Sequence, residues 1–228
     1  MSETLSGVEL VERATTKIAF FKDVGAELGR RSPDDDATAA LIEAYRSERM
    51  PAWMAAYLLG CARGSGSYEV ARQILIAAPG MLAESYAGTA MARIDDLASH
   101  DDLASLIVEA AHLRSREGAA RGLGIVAQQA TCLLLADAVR AGRIRTQTAS
   151  TILSTIADIV PQLLEWLAQD DELTARLAFA AATTILLRDA GPAQTALSKA
   201  VLHALDSGRM KMSPLPRAEL LARIHRET

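Results

Sequence analysis

Ala55-Ala56-Tyr57-Leu58-Leu59-Gly60 is answered 32 residues on by Ala87-Gly88-Thr89-Ala90-Met91-Ala92, and after a further 32 by Ala119-Ala120-Arg121-Gly122-Leu123-Gly124. Each copy ends small-large-small. Upstream, Val70, Ile74 and Leu75 correspond to Leu103, Ile107 and Val108 at a spacing of 33, so a whole helix pair recurs. A period in the thirties with two helices per unit indicates a stacked α-solenoid, in which each pair buries the open face of its neighbour. The small residues point to close approach. Alanine and glycine are expected to let the second helix of a pair press against the first, while leucine or methionine fills the layer between repeats.

The chain around this stretch has 228 residues, 50% hydrophobic, 23% charged and 4% aromatic, with a formal net charge of −4. Alanine and leucine are the best helix formers, β-branched runs are short, and apolar residues recur at three and four rather than at two. The expected fold is all-α. This length buries a sizeable core without disulfides or metals, and Cys61 and Cys132, with no CxxC and no nearby histidine, read as small buried hydrophobes. The acidic balance argues against broad, sequence-independent nucleic-acid binding, which needs a basic face. The most apolar stretches, Leu177 to Leu187 and Thr131 to Ala136, fall short of the roughly 18 to 20 residues needed to cross a bilayer. Met1 to Leu10 lacks a basic region followed by an apolar run, so a cytoplasmic location is expected, with no membrane contact.

Punctuation is regular: Ser32-Pro33, Met50-Pro51, Gly64-Ser65-Gly66, Pro79-Gly80, Ser99, Ser115, Gly142, Gly191-Pro192 and Ser213-Pro214 divide the chain into helix-length segments. These predict a long helix from about Val8 to Arg30, then pairs near 35–47 with 51–63, 68–78 with 82–97, and 101–113 with 116–128. A helix near 130–141 follows, then a stretch over 146–168 that Pro161 kinks or divides, and pairs near 172–188, 193–206 and 214–226. Pro33 and Pro51 are expected in first turns. Asp34 to Asp36 and Asp101-Asp102 are expected at helix starts, beside the positive end of the dipole, rather than as metal ligands. The whole of 1–228 is expected to be one domain, with a capping helix over 1–31, the best-defined repeats over 32–128 and degenerate repeats over 129–228.

Ser115-Arg116 before Ala119-Ala120 and Leu123-Gly124 resembles the second helix of HEAT repeats, which are related to armadillo-type solenoids. Weaker copies are Ala175-Arg176 before Ala178 and Ala180, and Pro216-Arg217 before Leu220 and Leu221. The resemblance spans roughly Asp34 to Ile224, although the aspartate-proline that usually opens the turn is mostly absent. It implies a right-handed α-α superhelix of about five to six helix pairs, with capping helices at both ends and second helices lining a concave side.

An enzyme needs a convergent set of titratable groups, and the sequence offers none that convinces. His100, His112, His203 and His225 have no ligand-spaced partners. No HExxH, GxSxG, P-loop or GxGxxG occurs, and Gly64-Ser65-Gly66 and Gly118 to Gly124 lack the preceding strand of a phosphate loop. No catalytic residue, cofactor or metal site is implied. HEAT-like DNA glycosylases place a catalytic aspartate among tryptophans and arginines. Trp166, Asp170 and Arg176 resemble that arrangement, but Asp170-Asp171-Glu172 also reads as the acidic start of a helix.

Two surfaces remain. Positions two and six before each Leu59-type residue are Tyr57 and Trp53, then Thr89 and Ser85, then Arg121 and Glu117. Residues four apart share a helix face. Trp53, Tyr57, Tyr86, Arg93, Glu117 and Arg121 are therefore expected to line a groove for another protein, since aromatic and arginine anchors favour binding. The competing expectation is that Trp53 and Tyr57 merely fill the core. Separately, Arg114, Arg116, Arg121, Arg140, Arg143 and Arg145 face only Glu117 and Asp137 in sequence, and suit a phosphate ligand or nucleic acid. The leading expectation is a non-enzymatic scaffold for another protein; the alternative is an anion binder, with glycosylase-like chemistry as its extreme form.

Overall fold

The computed structural model describes residues 5–80, 82–126, 129–189 and 194–226. Those residues form helices joined by short turns, with no strand among them. The helices are α1 (Gly7–Thr16), α2 (Phe21–Arg31), α3 (Asp35–Arg46), α4 (Ala52–Ala62), α5 (Ser67–Ala77), α6 (Ala83–Ile94), α7 (Asp96–Glu109) and α8 (Leu113–Leu123). They continue as α9 (Gln129–Arg140), α10 (Thr146–Leu153), α11 (Val160–Ala168), α12 (Glu172–Asp189), α13 (Thr195–Asp206) and α14 (Pro214–Arg226). No helix among the described residues is long and apolar enough to cross a membrane. Two compact units result, Met1–Ala127 and Gln128–Thr228.

The predicted helix over Val8 to Arg30 is two helices, separated by a 3-10 turn at Ile18–Phe20. Each half has its own partner: α1 packs on α2 and α3, while α2 packs on α1 and α4. The α1 start is sealed by a reciprocal box in which Glu9 N–H donates to Ser6 Oγ at 3.2 Å and Ser6 N–H to the Glu9 carboxylate at 2.6 Å. From α1 to α8 the first unit is two rows. The second helices α2, α4, α6 and α8 pack each on the next, and α1, α3, α5 and α7 each pack on the second helix that follows.

The three large residues of the period, Leu59, Met91 and Leu123, are fully buried. The small residues act differently from expectation. A Cβ on Gly60 would come 2.9 Å from Ala90 Cα, one on Gly88 would strike the Gly118 carbonyl, and one on Gly122 the Gly88 carbonyl. These glycines thus bring successive second helices together, rather than only the two members of a pair. In the first-helix register Leu103 and Ile107 are buried, but Val108 is 46% exposed.

Asp34 is the N-cap of α3, accepting from Ala37 N–H at 2.9 Å, with Asp35 and Asp36 in the first turn. Pro33 therefore lies ahead of the helix, and Pro51 is the N-cap of α4 rather than a first-turn residue. Asp101 and Asp102 do not start a helix, because α7 begins at Asp96. Asp102 instead accepts from the Tyr68 hydroxyl at 3.1 Å and Arg72 Nε at 2.9 Å, tying α7 to α5.

In the second unit Pro161 sits in the first turn of α11, and the expected kinked helix is divided into α10 and α11. α12 is the centre. It touches α9, α10, α11, α13 and α14, and Ala175, Leu177, Ala178, Ala181, Ala182, Ile185 and Leu186 are buried over most of its surface, leaving a stripe through Leu173, Arg176 and Arg188 exposed. A helix with so wide an apolar face packs against several neighbours at once.

Candidate interaction surface

The face of the second-helix row begins with glycine. Gly25 of α2 leaves a bare backbone, and the Tyr57 ring of α4 lies over it, so that a Cβ there would come 2.5 Å from Tyr57 Cε1. Around this contact four rings assemble. Phe21 meets Trp53 at 5.1 Å and Tyr57 at 5.3 Å, both edge-on, and Tyr86 lies 5.7 Å from Tyr57 and 6.3 Å from Trp53. Edge-to-face geometry places the positive ring edge on the negative ring face. All four rings are half-buried, neither sealed in the core nor free in solvent.

The line continues onto α8, where Arg121 Nη1 donates to Ser85 Oγ of α6 at 3.4 Å. Arg93, two turns beyond Tyr86 on the same helix, is exposed, and its charge acts on both Tyr57 and Cys61. Burial pushes the Tyr57 phenol above its ordinary value, with Cys61 adding to the rise and Arg93 opposing it. The structure thus brings Trp53, Tyr57, Tyr86 and Arg121 into one continuous face, with Thr89 half-buried beside them.

Glu117 does not belong to that surface: it is only 5% exposed, and it is engaged by an interaction of its own within the fold. Phe21, which the sequence places in the capping helix, does belong. A usable signal was present, because one more step of 32 back from Trp53 and Tyr57 lands on Phe21 and Gly25.

The arginine group divides between the two units. Arg114 and Arg121 are exposed on α8, with Arg116 half-buried between them. Arg140 is committed: it donates to Asp137 at 2.6 Å, Asp171 at 3.0 Å and Thr174 at 2.8 Å. Arg143 and Arg145 also interact within the protein. Trp166 is 3% exposed and faces the core of the second unit, so it offers no ring to a base. Arg176 pairs with Glu172 at 2.5 Å, and Asp171, just before α12, is held by Thr174 and Arg140.

Cys61 and Cys132 are buried free thiols, both pushed up by burial. No group of metal-ligating side chains gathers among the described residues. No family model matches the chain, and comparison with curated proteins and with solved structures found no significant match.

Proposed function

We propose that the first unit is a HEAT-like helical-repeat module whose second helices bind a segment of another protein. The observation that carries this reading is the ring cluster Phe21, Trp53, Tyr57 and Tyr86, half-exposed across three successive helices and prolonged by Arg121 on a fourth. Large aromatic rings left partly in water are poorly used as core and well used as anchors. The two-row packing, the 32-residue period and the glycine contacts between second helices support a rigid repeat scaffold. Binding then works by presentation: the partner segment meets side chains already held in place, and little entropy is lost on the module's side.

The test places a photo-crosslinking amino acid at Thr89, on the proposed face, and separately at Arg176, in the second unit. Each full-length variant is irradiated in native lysate with and without nuclease. A protein adduct formed from position 89 alone and surviving nuclease is expected. Equal adducts from both positions, or adducts lost on nuclease treatment, would refute the reading.

A further inference from the structure

α2 carries both signs, with Lys22, Asp23 and Arg30 exposed, but the charges within α4, α6 and α8 are one-sided. α4 contains no charged residue, and the only carboxylates within α6 and α8 are Glu84 and Glu117, each 5% exposed. Glu84 is turned inward, accepting from Gly80 N–H at 3.1 Å. Every exposed charge within these helices is an arginine: Arg93, Arg114 and Arg121. At the helix ends, Arg63, which closes α4 in the left-handed conformation, and Asp95, which closes α6, are both exposed. The other row is mainly acidic, with Glu43, Glu69, Asp101 and Glu109 among its exposed carboxylates against the exposed Arg13 and Arg46. Within α4, α6 and α8, which carry three of the four rings or continue their line, an acidic chain therefore keeps its exposed charges cationic.

Resting on the interaction reading above, we propose that the segment bound there is acidic, with carboxylates for Arg93 and Arg121 and at least one large apolar side chain for the ring cluster. Guanidinium forks take carboxylates in paired hydrogen bonds. From Phe21 to Arg121 the face crosses three helix-to-helix steps of about 9 Å each. That distance is spanned by about eight residues in extended conformation. A nucleic acid fits less well. Tyr57 already packs in T-shaped geometry against both Phe21 and Tyr86, so it is held among rings rather than standing free for a stacked base. The carboxylates of the other row would also repel a long polyanion.

The experiment pans a phage library of random peptides of about 12 residues on the immobilised full-length protein. Selected peptides should carry Asp and Glu at about twice the library frequency or more, beside aromatic or aliphatic residues. A synthetic selected peptide, followed by fluorescence anisotropy, should bind the Arg93→Glu/Arg121→Glu variant about tenfold more weakly or worse. Both arginines are exposed, and an unchanged far-UV circular dichroism spectrum confirms that the variant folds. Panning on the charge-reversed variant should shift selection toward Lys and Arg. Selection without acidic bias, or binding indifferent to charge reversal, overturns the acidic partner while leaving the surface reading intact if Trp53→Ala/Tyr86→Ala still abolishes binding. Peptides that bind the Trp53→Ala/Tyr86→Ala variant as well as the parent overturn both, as does selection of no peptide above background. Tighter, arginine-dependent binding of fluorescein-labelled oligothymidylate overturns the peptide in favour of nucleic acid.

Discussion

Gly88 of α6 and Gly118 of α8 meet backbone to backbone, with Gly122 one turn on closing against the Gly88 carbonyl. No other residue type permits that approach, because a Cβ at Gly88 points into the carbonyl of the next helix. The contact sets the spacing between Tyr86 and Arg121, and so the spacing of the proposed binding face.

Gly88→Ala should therefore lower stability by about 1–3 kcal/mol through overpacking, read as a lower urea midpoint. Gly29 in α2 is the control, since a Cβ there meets nothing within 4 Å. Gly29→Ala should raise stability by roughly 0.5–1 kcal/mol from helix propensity alone. Equal effects of the two changes would contradict the described helix approach.

Thr38, fully buried in α3, accepts from Gly64 N–H at 3.1 Å and lies 3.4 Å from Ser67 Oγ. Thr38→Val keeps the shape and deletes the acceptor, leaving a buried N–H unmatched at a cost of about 1–3 kcal/mol. Thr38→Ser should retain more of the stability than Thr38→Val, which chemical denaturation can show.

Asp35 and Asp171 are held below the usual carboxylate range. For Asp35 the cause is the hydrogen bond from Ser65 N–H at 2.7 Å; for Asp171 it is first the Thr174 hydroxyl and then Arg140. A carboxylate with a depressed folded-state pKa binds protons more readily when unfolded. Its stabilisation is complete above the unfolded value of about 4 and disappears as pH falls through the lower folded value. Asp35→Asn and Asp171→Asn should each flatten the loss of stability between about pH 5 and pH 2, measured as urea midpoints across that range. A steeper acid dependence in either variant would reverse the sign assigned here.

Trp53 is half-buried and Trp166 is 3% exposed, one in each unit. In Trp166→Phe the remaining emission should lie to the red and be quenched by iodide. In Trp53→Phe it should lie to the blue and resist quenching. Identical quenching in the two variants would mean that the ring cluster is sealed.

Part of the architecture was legible because periodicity reports burial directly. Leu59, Met91 and Leu123 recur at 32 and all lose their solvent. The same logic failed at Val108: it occupies the register of buried Leu75, yet it is 46% exposed. It failed again at Asp101-Asp102, where an acidic pair resembling a helix start lies inside α7 because Tyr68 and Arg72 of α5 provide Asp102 with partners. Of the candidate surface, Trp53, Tyr57, Tyr86 and Arg121 were readable from spacing on one helix face. Phe21 is less legible, because it lies 32 residues before Trp53 in a segment that carries no small-large-small copy of the repeat.

The sequence by itself determined the helical character of the chain, the 32-residue unit and the identity of its buried layer, because helix propensity and apolar spacing are local properties. Only the tertiary structure decided which neighbour each small residue touches, and which charges remain in water. Glu84 turns inward because Gly80 N–H stands ready to receive it, and Glu117 is buried on the helix packed against it. Arg93 and Arg121 stay outside. Burying a carboxylate requires partners supplied by the fold, and with Glu84 and Glu117 buried the exposed charges within α6 and α8 are arginines.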